Sequence, residues 1–196
     1  YRLRKYKSMS KNIQSSYKLN NFDSIFKIIC ENVKPKSLLE IGILDGYSLN
    51  SFVSNTSAET KIVAIDLFDE YEYKNSNYEF INNSFNKYKN VEILPGDFFN
   101  YYKKSGNFDI IHIDISNDAD IYKFSIENYF PKANKLLLLE GGSKERDNVL
   151  WMKKYKKPKI NKFLNEIKKD YNFQTIDLFP SLTIFYKDYD KKIELV

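Results

Sequence analysis

The chain has 196 residues and a mass of 23.3 kDa, enough to bury one substantial core and too little to suggest a second. Its 42% hydrophobic and 29% charged residues are ordinary for a globular protein, aromatics are abundant at 16%, and no apolar run is long enough to span a membrane. The formal net charge of +5 is modest and the single cysteine, Cys30, excludes an internal disulfide.

The opening "YRLRKYKSMS" lacks the apolar stretch of a signal peptide, so a cytoplasmic protein is expected, conditional on whether Tyr1 begins a chain or a fragment of one. Basic clusters at 2–7 and 153–159 read as solvated faces, with nucleic-acid binding as the minor alternative. Phe22, Ile25, Phe26, Ile29 and Val33 recur at helical spacing, with Cys30 on the same apolar face as an inert thiol, and Lys34-Pro35 closes that helix.

Short apolar runs follow at 37–42, 61–66, 91–94, 108–114 and 135–140, separated by segments long enough for helices, which is a βαβ rhythm. Runs such as "FDIIHID" and "KLLLLEG" do not alternate, as expected of parallel strands buried on both faces. A helix near 159–170 precedes "FQTIDLF" and "SLTIFYK", whose short link around Pro180 demands an antiparallel hairpin. The expected fold is α/β: a doubly wound, Rossmann-like sandwich with a mostly parallel seven-stranded sheet and a C-terminal antiparallel hairpin. It forms one domain over 1–196, with a helical extension at 1–36 and a candidate lid at 141–160.

In such sheets ligands bind beyond the carboxyl ends of the strands, usually at the first strand-to-helix turn. Here that turn is Gly42-Ile43-Leu44-Asp45-Gly46. The central glycine of a dinucleotide fingerprint is absent and no Gly-Lys-Ser/Thr follows, which disfavours a nicotinamide cofactor and a phosphate loop.

The segment "LEIGILDGYS" resembles motif I of class I S-adenosylmethionine (SAM)-dependent methyltransferases, with an acid two positions before the first glycine and a second glycine at the helix start. "KIVAIDLFD" resembles the second strand with its ribose-binding acid, "ILPGDFF" the adenine turn and "FDIIHID" the fourth strand, so the resemblance spans about 37–140. It implies SAM as cofactor. Glu40, Gly42, Ile43, Leu44, Gly46, Tyr47 and Ser48 would then shape the methionine end, with Asp45 in the same loop. Asp66 would accept from the ribose hydroxyls, Leu67 and Phe68 would flank the adenine, and Gly96, Asp97 and Phe98 would meet its edge. A helix cap is the competing reading of Asp66 and of Asp97, and core packing that of Leu67 and Phe68.

"FDIIHIDIS" further resembles a small-molecule O-methyltransferase subgroup whose strand end reads His-x-Asp, which implies catalytic roles for Asp114 and His112 and binding of SAM by Asp114. The histidine and tyrosine that follow in that subgroup are replaced by Ser116, Asn117, Asp118 and Ala119, and a histidine in an apolar strand is as readily a core residue. A catechol-type branch binds a divalent metal at the ends of strands 4 and 5; this chain offers Asp114 and Glu140 there, then Gly141-Gly142, so metal dependence is not favoured. Glu140 at the end of strand 5, and Glu145, Arg146, Asp147 and Trp151 in the candidate lid, are candidate substrate residues, with Arg146 suited to a carboxylate or phosphate. The competing reading is a surface helix with Val149, Leu150 and Met152 packed inward. The expected activity is methyl transfer to a hydroxyl of a small molecule, a sugar or glycan intermediate being one acceptor class. The alternatives are an RNA methyltransferase and an inactive methyltransferase-like binding module.

Overall fold

A computed structural model describes residues 14–68, 77–187 and 193–194. The basic cluster at 2–7 lies outside them. A 3₁₀ turn, Ser16–Asn20, leads into α1 (Phe22–Val33), and the chain then alternates β1 (Ser37–Ile41), α2 (Tyr47–Asn55), β2 (Lys61–Asp66), α3 (Tyr78–Phe85), β3 (Val91–Pro95) and the single turn α4 (Phe98–Tyr101). After β4 (Phe108–Ile113), α5 (Ala119–Asn128) and β5 (Ala133–Glu140) come α6 (Leu150–Lys154), α7 (Ile160–Ile167), β6 (Phe173–Ile176) and β7 (Leu182–Tyr186).

The seven strands form one sheet in the order β3-β2-β1-β4-β5-β7-β6. β1 to β5 are mutually parallel, and β7 pairs antiparallel with both β5 and β6. The expected doubly wound sheet and its terminal hairpin are therefore present, with strand limits within two residues of the apolar runs. The hairpin is antiparallel because only five residues separate β6 from β7, too few for a parallel crossover.

Side chains alternate between the two faces of each strand. Leu38, Ile62, Ala64, Ile110, Leu136 and Leu138 pack under α1, α2 and α3 with Phe22, Phe26, Phe52 and Phe85. Leu39, Val63, Ile65, Ile111, Ile113, Leu137 and Leu139 pack under α4, α5 and α7 with Phe98, Tyr122, Tyr129 and Leu164. The abundant aromatics fill both layers. Cys30 is buried in the first, where desolvation pushes its thiol up to about 12.

Glu40 and His112 stand opposite one another in the β1–β4 register and on the face that α1 and α2 cover. These polar residues sit inside an apolar layer, next to the carboxyl ends of the central strands. No described helix is long and apolar enough to cross a membrane.

Candidate active site

The first turn is held from three sides. Gly42 has φ +90°, and a Cβ built there would lie 2.0 Å from the main-chain oxygen of Asp114. The glycine is required by the close approach of β1 to the end of β4, where Asp114 N–H donates to the Ile41 carbonyl. The room beside its α-carbon is filled by neighbouring backbone, so the fold of the turn itself requires the glycine. Gly46, φ +77°, begins α2, and Leu44 also adopts a left-handed conformation.

Asp66, at the end of β2, accepts from the backbone N–H groups of Ile43 (2.7 Å), Leu44 (3.3 Å) and Phe68 (2.9 Å). Asp45 turns the other way, accepting from Ser15 N–H (3.1 Å) and Lys18 Nζ (2.7 Å). The turn before α1 is thereby pinned onto the loop. Tyr47 adds to this clamp by accepting at its hydroxyl from Asp23 N–H.

At the neighbouring strand ends, Gly96 N–H donates to the Asp66 carbonyl, so the "PGDFF" turn lies beside Asp66. Asp97 caps α4 through Phe99 N–H and also accepts from the Asn100 amide. The Phe98 ring stacks on Tyr129 in the second core layer, so only its main chain is available to the turn's outer side. As the first residue of α4, Phe98 keeps an N–H outside the intrahelical ladder. Phe68 is buried edge-on against Tyr78, whereas Leu67 is half-buried.

A buried polar row crosses the first layer. Ser48 Oγ donates to Glu40 Oε1, His112 Nδ1 lies 3.4 Å from that oxygen, and His112 Nε2 is 3.1 Å from the Tyr17 hydroxyl. Burial and the surrounding carboxylates, Asp114 first, push the Tyr17 phenol well above its ordinary value. It stays neutral and donates to Nε2 when Nδ1 carries the ring proton. Glu40 Oε2 and His112 Nδ1 have no hydrogen-bond partner among the described residues. His112 is enclosed by Tyr17, Phe26 and Phe52, which makes it a member of the core.

A second polar cluster is built where β4 and β5 finish. Asn117 Nδ2 donates to the carbonyls of Ile113 (3.0 Å) and Glu140 (2.9 Å), tying the two strand ends together. Arg146 Nε donates to Glu140 Oε1 and Nη2 to Oε2 (2.8 Å), with a longer bond from Nη2 to the Asn117 carbonyl (3.4 Å). The guanidinium lies 5.0 Å from the Trp151 ring centroid, in cation–π range.

Half-buried Asp114 feels the charges of this pair. Desolvation and the Glu140 carboxylate push Asp114 well above the ordinary range, against the opposing pull of Arg146. Burial also raises Glu140, partly offset by Arg146. For Arg146, pairing with Glu140 outweighs the burial that works against its charge.

The segment read as a lid is anchored at several points. Ser143, Arg146, Asp147 and Met152 are buried, and Asp147 accepts from Ile160 and Asn161 N–H at the start of α7. Glu145 points to solvent, and Leu150, expected inward in the helix reading, is 87% exposed. The short α6 turns only Met152 fully inward. Tyr17 and Asn117 were not singled out as site residues. Asn117 carried a signal, standing where a related subgroup has other polar side chains; Tyr17 carried none, since nothing local links it to a strand ninety-five positions on.

The donor set does not fit the divalent cation that the catechol-type branch implies. Both Glu140 oxygens are taken by Arg146, and Gly141 brings no side-chain oxygen. Among the described residues there is no group of three or more His, Cys, Asp or Glu side chains arranged to hold a metal. A cavity of about 540 Å³ lies elsewhere, between α7 and β6, lined by Asn161, Leu164, Lys168 and Phe173.

Similarity to known proteins agrees with this geometry. Solved structures with the same fold include a putative caffeoyl-CoA O-methyltransferase from Staphylococcus aureus, with TM-score 0.66, 18% identity and coverage of 90% of this chain and 85% of that one. An O-methyltransferase from Bacillus cereus, in complex with S-adenosylhomocysteine (SAH), aligns with TM-score 0.63 at 13% identity over 91% of this chain and 84% of its own. An SAH-bound methyltransferase from Podospora anserina gives TM-score 0.61 at 20% identity over 85% and 78%. Among curated proteins no match to this sequence is found. The family model described as O-methyltransferase matches residues 2–177, and the chain belongs to that family of SAM-dependent enzymes.

Proposed function

We propose that this enzyme methylates a hydroxyl of a small-molecule acceptor at the carboxyl ends of β1, β4 and β5. The observation that carries the reading is the position of Asp114: it follows β4, its N–H donates to the Ile41 carbonyl and its main-chain oxygen closes on the Gly42 turn, so it stands where the carboxyl ends of β1 and β4 meet.

The residues suit a cationic donor rich in hydroxyls and amines. Glu40 Oε2 is a buried acceptor without a partner among the described residues, Asp66 ends β2 beside the loop, and Phe98 N–H and Asp97 edge the neighbouring turn. Glu40, the loop through Ser48 and Asp114 would hold the methionine end of SAM; Asp66 the ribose; Leu67, Phe68, Gly96, Asp97 and Phe98 the adenine. Bound there, SAM supplies an electrophilic methyl group on a sulfonium.

The chain must then place the acceptor oxygen in line and take its proton, and placement alone contributes much of the acceleration. Asp114 is suited to the proton, because a carboxylate held above its ordinary range is a stronger base than one in water. His112 is proposed as a positioning residue, since its ring is enclosed in the core and its contacts are Tyr17 and Glu40. Arg146 and Trp151 would face the acceptor.

Calorimetric titration with SAM and SAH tests the donor site, and turnover across sugars, glycan intermediates and phenols tests the acceptor class. Micromolar binding of both ligands with turnover of one class is the expected result. Binding of neither overturns the reading.

A further inference from the structure

Arg146 is 5% exposed and its hydrogen bonds are unevenly distributed. The Nε–Nη2 edge is spent on Glu140, and the second N–H of Nη2 is directed at the Asn117 carbonyl. Nη1 is buried and has no hydrogen-bond partner among the described residues. A buried guanidinium nitrogen without an acceptor is costly, and it is the kind of donor that a ligand, an ion or an ordered water completes.

The remaining donor also limits what can bind. Two-point recognition of a carboxylate or phosphate uses two nitrogens on one edge of the guanidinium. Both edges that include Nη2 are committed to Glu140 and Asn117, leaving one nitrogen for one oxygen. This narrows the earlier reading of Arg146 as a carboxylate or phosphate site.

We propose that Arg146 is the resident cation of the acceptor site, with Nη1 receiving the reacting oxygen of an ionisable hydroxyl, of the phenol or enol class, as an oxyanion. The proposal rests on the O-methyltransferase reading above and assigns to a side chain the charge-stabilising role that the catechol-type branch gives to a divalent metal. Glu140 and Trp151 hold the guanidinium in place, so it need not reorganise as the acceptor ionises. The hydroxyl proton passes to Asp114, an acceptor lone pair forms the new O–C bond, and the C–S pair returns to sulfur as the sulfonium becomes a thioether. Arg146 keeps its protons throughout.

The test uses 4-nitrophenol and 4-nitrocatechol, whose visible absorbance reports ionisation, added to the SAH-bound protein. The expected result is a bound phenol whose ionisation is shifted to lower pH by about one unit or more, unchanged by EDTA. The shift should be lost in Arg146→Gln and in the Glu140→Gln/Arg146→Gln pair, which leaves no buried carboxylate unpaired if the single variant fails to fold. Arg146→Lys should keep part of it.

Wild-type protein that binds neither phenol, or binds one without a shift, overturns the proposal, as does a shift equal in Arg146→Gln. A shift removed by EDTA and restored by Mg²⁺ also overturns it, in favour of a metal. SAH affinity, measured separately by calorimetry, distinguishes the two levels: intact SAH binding without a phenolate shift sinks only the Arg146 assignment, whereas loss of SAH binding sinks the enzyme reading beneath it.

Discussion

Tyr17 and His112 meet in the interior with 3.1 Å between the phenol oxygen and Nε2, joining the N-terminal turn to the centre of the sheet. Replacing Tyr17 by Phe removes this bond and leaves a buried imidazole nitrogen unmatched, at a cost of about 1–3 kcal/mol. Urea unfolding at neutral pH measures it. The same phenol makes stability depend on alkaline pH. Its folded pKa is raised above the unfolded value of about 10, as are those of Tyr122 and Tyr129, so their contribution is intact below pH ~10 and falls as the pH rises further. Tyr17→Phe should flatten that alkaline loss, and an unchanged slope would mean the ring ionises without penalty.

The sheet was legible because its signal is local: apolar runs bounded by turn residues mark β1, β2, β4 and β5 to within two residues. The arrangement of Glu40 and His112 could be suspected from two polar residues in apolar strands. Their partners could not be named, because Tyr17 reaches His112 only through tertiary packing of α1. Arg146 was legible as a charged residue after β5, but its commitment to Glu140 depends on how the Gly141–Gly142 turn folds back over the strand end. The structural demand on Gly42 was not legible, because the backbone of Asp114 that packs against it is brought there by the β1–β4 pairing and not by neighbours in sequence.

Asp114→Asn should separate stability from function. The carboxyl's folded pKa is raised above its unfolded value, so its favourable contribution is complete below the unfolded value and is lost as pH rises through the folded one; at neutral pH its ionisation opposes folding. The amide should therefore raise the melting temperature by about 2–4 °C at pH 7 and less at pH 4. It should also weaken SAM by about tenfold, with a smaller loss for SAH, whose sulfur carries no charge. Turnover should fall with the acid limb of its pH profile, which in the wild type lies above the ordinary carboxylate range. Equal losses for SAM and SAH would remove Asp114 from the neighbourhood of the sulfonium.

Gly42→Ala should destabilise by about 3 kcal/mol or prevent folding, because the added methyl meets the Asp114 carbonyl in a left-handed backbone. Gly106 is the control. A Cβ there meets no atom of the described residues within 4 Å, so Gly106→Ala should melt within a degree or so of wild type. Similar melting of both variants would show that β4 can withdraw from the turn.

Asp66 has two tasks, and a pair of substitutions divides them. Its carboxylate accepts from Ile43, Leu44 and Phe68 N–H, so Asp66→Ala strips acceptors from three main-chain donors and should cost about 1–3 kcal/mol, in contrast to the intact fold expected of a purely ligand-facing acid. SAH affinity should fall by about tenfold or more, since the loop and the proposed ribose contact fail together. Asp66→Asn keeps one oxygen, which can still accept from Ile43 and Leu44, while its amide turns a donor toward Phe68 N–H. If the carboxylate's second oxygen serves the ribose, the asparagine variant should recover much of the stability and little of the affinity. Recovery of both in calorimetry and thermal melting would make Asp66 a loop anchor alone, and the ribose would have to be held by another residue at the β2 end.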